Sequence, residues 1–353
     1  MIKILVTLIL CCLSTLGFAE SGTVPNAELT YKLKASVVKV HVATKKGGHG
    51  VGTGVMVGKD LIATNCHVVA NAAGISITKF GNSYAPVGLK ADWKHDICIL
   101  TFQYLDINPV ELGDSEALKY EQDIFSIGFP GGPPKPLVTY GKVKALYPMD
   151  DSHIIRTDAS FIMGASGSPV FDSDGKLVAL STFKSPGRGA YFYNVPVKWV
   201  KALLESPDTA ISAETTVSPF WDAAEDDHPY FMRVILPLQN EAWADLARIA
   251  KLWLIDQPTN AEANYYVGLA AEKMGKLSEA KKYYTQALKL EPQHTSSIFE
   301  LALIANKEGN TNEVERLKLA LKAINNDEAD MLTETLSPVT SSTDNPSNNQ
   351  TPQ

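Results

Sequence analysis

The chain has 353 residues, a length that fits two domains at roughly 100–200 residues each. Apolar residues make up 45% and charged residues 20%, which excludes a globally disordered or collagen-like chain. Lys plus Arg is 32 against 39 Asp plus Glu, a net charge of −7 without a basic block. That balance gives no support to a nucleic-acid partner, and the four cysteines are too few for a disulfide-dense scaffold.

The N-terminus reads as an address. Lys3 precedes an apolar run from Ile4 to Leu13, and the small residues Gly17 and Ala19 stand before Glu20. This pattern predicts a secretory signal peptide over residues 1–19. The run is short for the ~20 residues of a spanning helix, and no later stretch could cross a bilayer. The expected destination is the periplasm. The alternatives are full secretion, or a membrane tether through an uncleaved signal. Only Cys66 and Cys98 remain after cleavage.

After a short polar lead, residues 31–204 carry β-rich runs at Val37–Val42, Gly54–Val57, Ile97–Phe102, Ile124–Ile127 and Lys176–Thr182, separated by Gly, Pro and Asp turns. Many short strands at such spacing predict a β-sandwich or barrel. Residues 205–239, with several prolines and the acidic Glu225-Asp226-Asp227, read as a linker. Residues 240–328 turn helical and rich in Ala, Leu, Glu and Lys. The tail, 329–353, ends in Ser, Thr, Asn, Pro and Gln and is expected to be disordered.

The helical stretch repeats. With Ala261 as position one, Gly268, Ala280, Tyr284, Ala287 and Pro292 fall at positions 8, 20, 24, 27 and 32. The segment 261–294 resembles a tetratricopeptide repeat, whose period is 34 residues. Pro258 implies a degenerate unit before it, and Thr295 to Glu328 a third unit after it. The resemblance implies a protein partner, held on a solvent-facing concave surface.

Three segments in the β-rich half carry chemistry together. They are Leu61-Ile62-Ala63-Thr64-Asn65-Cys66-His67, Asp92-Trp93-Lys94-His95-Asp96-Ile97 and Asp158 to Phe171 around Gly164-Ala165-Ser166-Gly167. Each offers one member of a His–Asp–Ser triad, in the chain order of the chymotrypsin plan. A Ser hydroxyl needs a base to become a nucleophile, and His67 can serve near neutral pH. Asp96 would orient His67 and stabilise the imidazolium. Gly164 and Gly167 bracket Ser166 and permit a tight loop. The N–H groups of Gly164 and Ser166 would then form an oxyanion hole, typically worth about 3 kcal/mol of transition-state stabilisation.

These segments resemble the trypsin-like serine peptidases of the HtrA/Deg type. Gly52-Thr53-Gly54-Val55, Leu112-Gly113-Asp114-Ser115, Ile127-Gly128-Phe129-Pro130-Gly131 and Thr157-Asp158-Ala159 extend the likeness over roughly residues 33–200. The resemblance implies a multidomain chain: an all-β double-barrel chymotrypsin-like peptidase domain, then an all-α tetratricopeptide-repeat domain. It implies a serine endopeptidase acting on protein or peptide substrates, without metal or cofactor. Ala165 stands where digestive trypsins carry the Asp used in zymogen activation, so activation by that route is not expected. The repeats are expected to stand where such peptidases usually carry a PDZ domain.

The primary specificity pocket is expected near Ser160, with Ser181, Thr182 and Phe183 as one wall. Without a charge there, small or medium apolar side chains should be preferred. Cys66 and Cys98 flank His67 and Asp96, so they form either a disulfide or two buried free thiols. His41, His49, His95, His153, His228 and His294 show no metal-ligand spacing, and His95 should face away from His67. The alternative to a peptidase is a catalytically silent adaptor on the same fold.

Overall fold

The computed structural model describes residues 25–79, 81–187, 190–211 and 217–337. The proposed signal peptide and the last residues of the proposed tail lie outside these. Helix α1 (Ala27–Lys34) leads into two antiparallel β units. The first holds β1 (Val37–Thr44), β2 (His49–Gly58), β3 (Leu61–Thr64), β4 (Ala72–Lys79), β5 (Asn82–Tyr84), β6 (Gly88–Asp92) and β7 (Ile97–Thr101). Their order is β5-β4-β1-β2-β3-β7-β6. The second holds β8 (Asp123–Gly128), β9 (Leu137–Met149), β10 (Ser152–Thr157), β11 (Pro169–Asp172), β12 (Leu177–Lys184) and β13 (Phe192–Pro196), closed into a barrel.

The two units close differently. The end strands β5 and β6 of the first sheet do not pair with each other. The free edge of β6 is covered by a later segment, where Leu89 and Thr209 exchange backbone hydrogen bonds of 3.2 and 2.6 Å. An unpaired edge exposes backbone donors and acceptors, and a covering strand removes that liability.

Helix α2 (Cys66–Val69) interrupts the first sheet, and α3 (Val197–Leu204) ends the β region. The described residues of the stretch expected as a linker, 205–211 and 217–239, are built into the molecule. Thr101 donates to Asp208 at 2.9 Å. Phe220 and Phe231 are buried in the largest core cluster with residues of the second barrel, and two short helices, α4 (Tyr230–Arg233) and α5 (Ile235–Gln239), follow. Burying the aromatic residues of this segment favours that placement: Phe220 meets Phe183 and Phe231 stacks on Tyr147.

The helical part comprises α6 (Trp243–Asp256), α7 (Ala261–Lys273), α8 (Leu277–Leu290), α9 (Thr295–Lys307), α10 (Thr311–Ile324) and α11 (Asn326–Leu336). Gly268 lets α7 and α8 approach, since a Cβ there would lie 2.8 Å from the Tyr284 ring. Helix α11 corrects the expectation of a disordered tail from 329. Asn325 caps it by accepting from the Glu328 N–H, and Ala329 and Leu332 are buried. No described helix is long and apolar enough to cross a membrane.

The helices do not present all of their inner surface to solvent. Glu262 of α7 accepts from Tyr120 at 3.3 Å and Tyr147 at 3.5 Å, and lies 3.6 Å from Arg156. Thr295 at the start of α9 donates to Glu121 at 3.1 Å, and Asn325 before α11 donates to its other oxygen at 2.8 Å. Lys144 of β9 bridges Glu121 and Glu328. The first turns of α7, α9 and α11 therefore rest on the second barrel. Arg156 and Glu262 are buried there. Burial alone raises the Glu262 carboxyl, but the charges of Arg156 and His294 outweigh it and hold it below its ordinary range.

Candidate active site

Asp96 organises the site. It ends the turn after β6 with φ +60°, a left-handed conformation that Asp tolerates better than most residues. There its carbonyl faces the start of α2, accepting from Asn65 Nδ2 at 2.9 Å and from the Cys66 N–H at 3.3 Å. Its carboxylate turns the same way. Oδ1 accepts the His67 N–H at 2.8 Å, and Oδ2 lies 2.6 Å from His67 Nδ1. A carboxylate at that distance fixes the Nδ1–H tautomer and leaves Nε2 as the acceptor. Asp96 is wholly buried, whereas the His67 side chain is 27% exposed. Cys66 and Cys98 form a disulfide, which ties α2 to β7 directly beside the pair.

Two further donors reach Asp96 Oδ2. Thr182 of β12 donates at 2.6 Å and Trp221 Nε1 at 3.0 Å. A buried carboxylate is costly unless donors satisfy it, and this one has a full set. Trp221 also meets the His67 ring edge-on, with centroids 5.2 Å apart.

The Ser166 loop is held by glycine geometry and by β2. Gly164 has φ +92°, and a Cβ there would lie 2.5 Å from the Phe129 carbonyl. The Gly131 N–H donates to the Met163 carbonyl at 2.6 Å. Because the peptide is planar, this contact turns the Gly164 N–H the opposite way. Among the described residues, the N–H groups of Gly164 and Ser166 donate to no protein acceptor. Thr53 pins the loop across the two β units: its N–H donates to the Ser166 carbonyl at 2.8 Å and its hydroxyl to the Gly164 carbonyl at 2.8 Å. Gly52 permits this approach, since a Cβ there would stand 2.5 Å from Val68. Thr53 and Trp221 escaped the sequence reading as site residues. The Gly-Thr-Gly spacing signalled the first, and nothing local signalled the second.

A cleft of about 440 Å³ opens beside Ser166, lined by Phe161, Ile162, Met163, Thr182 and Phe183 with Gly131 and Lys184. Thr182 thus joins this cleft to Asp96. Two predicted pocket residues lie elsewhere. Ser160 is exposed and outside the lining, and Ser181 is buried with its hydroxyl donating to Asn194 Oδ1 at 3.0 Å. Strand alternation explains Ser181, which points away from the face shared by Thr182. Among the described residues, no hydrogen bond joins Ser166 Oγ to His67.

His95 faces away from the site. Its ring stacks on Trp199 at 3.8 Å and lies 2.6 Å from Asp92 and 2.8 Å from Asp150. Burial pushes its pKa down, but the two carboxylates outweigh burial and hold it above the ordinary value.

Comparison with known proteins agrees with this architecture. Residues 52–180 match the trypsin-like peptidase domain family, and residues 261–294 match the tetratricopeptide repeat family. A probable periplasmic serine endoprotease, DegP-like, of Chlamydia muridarum is 29% identical over 164 residues, covering 44% of this chain and 33% of the relative. Its counterpart in Chlamydia pneumoniae is 31% identical over 147 residues, covering 40% and 30%. The chain therefore spans about a third of the length of these relatives. Among solved structures, the Rv3671c protease from M. tuberculosis in its active form is 20% identical, covers 56% of this chain and 91% of that one, and has a TM-score of 0.47. Residues 52–180 are thus similar to trypsin-like peptidase domains, including those of DegP-like endoproteases, and residues 261–294 to the tetratricopeptide repeat.

Proposed function

We propose that the protein is an exported serine endopeptidase, acting in the periplasm, with His67, Asp96 and Ser166 as its catalytic residues. The observation that carries this is an Asp96-bound His67 together with a Ser166 loop whose Gly164 and Ser166 N–H groups have no acceptor among the described residues. Ser166 Oγ attacks the scissile carbonyl carbon while its proton passes to His67 Nε2. Asp96 stabilises the imidazolium, and the two N–H groups hold the oxyanion. The C–N bond then breaks as His67 returns the proton to the leaving amine. Water, deprotonated by His67, attacks the acyl-enzyme and restores Ser166.

Phe161, Ile162, Met163 and Phe183 line the cleft beside Ser166, so the acyl-side residue of the substrate is apolar. Met163 is 89% exposed, and an apolar side chain displayed at a cleft mouth serves a peptide partner better than solvent. The repeats hold a protein partner or substrate on the surface not already taken by the second barrel. The unformed Ser166–His67 contact favours an enzyme that tightens on substrate binding; the silent-adaptor reading shares that observation.

Hydrolysis of an unfolded protein such as alkylated casein tests the proposal. Wild type should cleave it after apolar residues, and Ser166→Ala should lower the rate by at least ~10⁴-fold. Equal rates for the two would contradict it.

A further inference from the structure

Trp221 lies outside the matched peptidase domain, in the segment that leads to the helices. Yet it makes three contacts with the site. Its indole N–H donates to Asp96 Oδ2, the same oxygen that faces His67 Nδ1. Its ring stands edge-on to His67, and it stacks on Phe183 with centroids 6.0 Å apart and planes 22° from parallel. Phe220, its neighbour, is buried against Phe183 at 5.6 Å and fixes the approach. The Phe220 N–H donates to the Lys94 carbonyl at 3.0 Å, two residues before Asp96.

Each contact has a consequence. An indole N–H is donor-only, so it holds Asp96 Oδ2 in place as an acceptor. With Thr182 on the same oxygen, it leaves the carboxylate one direction for His67. The ring occupies the space between His67 and Phe183. A substrate whose acyl-side residue enters the cleft beside Ser166 must pass its preceding residue over His67, where Trp221 stands.

We propose that Trp221 is a positioning and specificity-determining residue: its N–H fixes Asp96 for His67, and its ring restricts the substrate residue preceding the scissile one to a small side chain. The specificity half rests on the peptidase reading; the positioning half does not. The segment after the peptidase domain then completes the site rather than merely tethering the helices.

The test compares the full chain with Trp221→Phe, which keeps a ring but loses the donor, and Trp221→Ala, which loses both. The far-downfield proton resonance of His67 Nδ1–H, assigned by its absence from His67→Ala, reads the hydrogen bond without needing activity. A peptide series varying the preceding residue from Gly and Ala to Leu and Phe reads the wall. Trp221→Phe should shift the resonance and lower kcat several-fold, with KM and the small-residue preference kept. Trp221→Ala should also raise the use of Leu or Phe relative to Ala at least tenfold. An unmoved resonance in both variants, or an unchanged preference in Trp221→Ala, overturns the proposal. Should wild type neither cleave any peptide nor react with a fluorophosphonate, the peptidase reading fails, and the resonance comparison still decides whether Trp221 positions Asp96.

Discussion

Gly164 shows how much of the site depends on single atoms. Its φ of +92° and the Phe129 carbonyl 2.5 Å from a would-be Cβ leave no room for a side chain. Gly164→Ala should turn the Met163–Gly164 peptide and withdraw one oxyanion donor. The expected outcome is a 10²–10³-fold fall in kcat with a much smaller change in KM, measured on an apolar peptide ester. The meeting of His67 with Asp96 was legible in the sequence because each sits in a short segment tied to its geometry, Asp96 just before β7 and His67 in α2 just after β3, and the tight Ser166 loop because glycines bracket it. Trp221 was not legible, because irregular chain has no period from which to read where a side chain lands. Ser160 and Ser181 were misplaced for a related reason: a pocket lining depends on which face of a strand or loop turns inward, and spacing from the nucleophile does not fix that.

Elements were read well where hydrophobic periodicity was strong. The repeat helices fell where small residues and Pro292 marked them. Helix α11 was missed because its polar start, Asn325-Asn326-Asp327-Glu328, resembles the beginning of a solvated tail; the signal was the cap, with Ala329, Leu332 and Leu336 spaced on one face. Within the repeats, α9 carries a titratable liability. Burial, then the nearby Glu272 charge, push the Glu300 carboxyl up to about 7, against the attraction of Lys273 and Lys307. The folded value exceeds the unfolded one of 4.5, so the stabilisation is fully present only below the unfolded value and is lost as pH rises through about 7. Glu300→Gln mimics the protonated form. It should unfold close to wild type at pH ~5 and be more stable by on the order of 2 kcal/mol at pH ~8. Equal differences at both pH values, by thermal denaturation, would contradict this.

At the scale of the molecule, the helices brace the peptidase domain they follow. The sequence implied two unlike domains and a linker, and both domains are present. It could not show that Arg156 of β10 and Glu262 of α7 meet in a buried pair, since a long-range charge pairing leaves no local pattern. Removing one partner of such a pair strands the other charge and typically costs about 3–5 kcal/mol, whereas replacing both with apolar groups is far milder. Glu262→Leu should therefore destabilise the chain and expose residues 217–242 to added protease. Arg156→Met with Glu262→Leu should recover most of the loss in both denaturation and limited proteolysis; a double variant as weak as the single one would contradict the pairing. The central claim concerns the nucleophile, and reaction with a fluorophosphonate followed by mass mapping of the adduct tests it most directly. The account predicts one adduct per chain, on Ser166, that is lost in Ser166→Ala and nearly lost in His67→Ala. No adduct on wild type, or an adduct on any other residue, would contradict it.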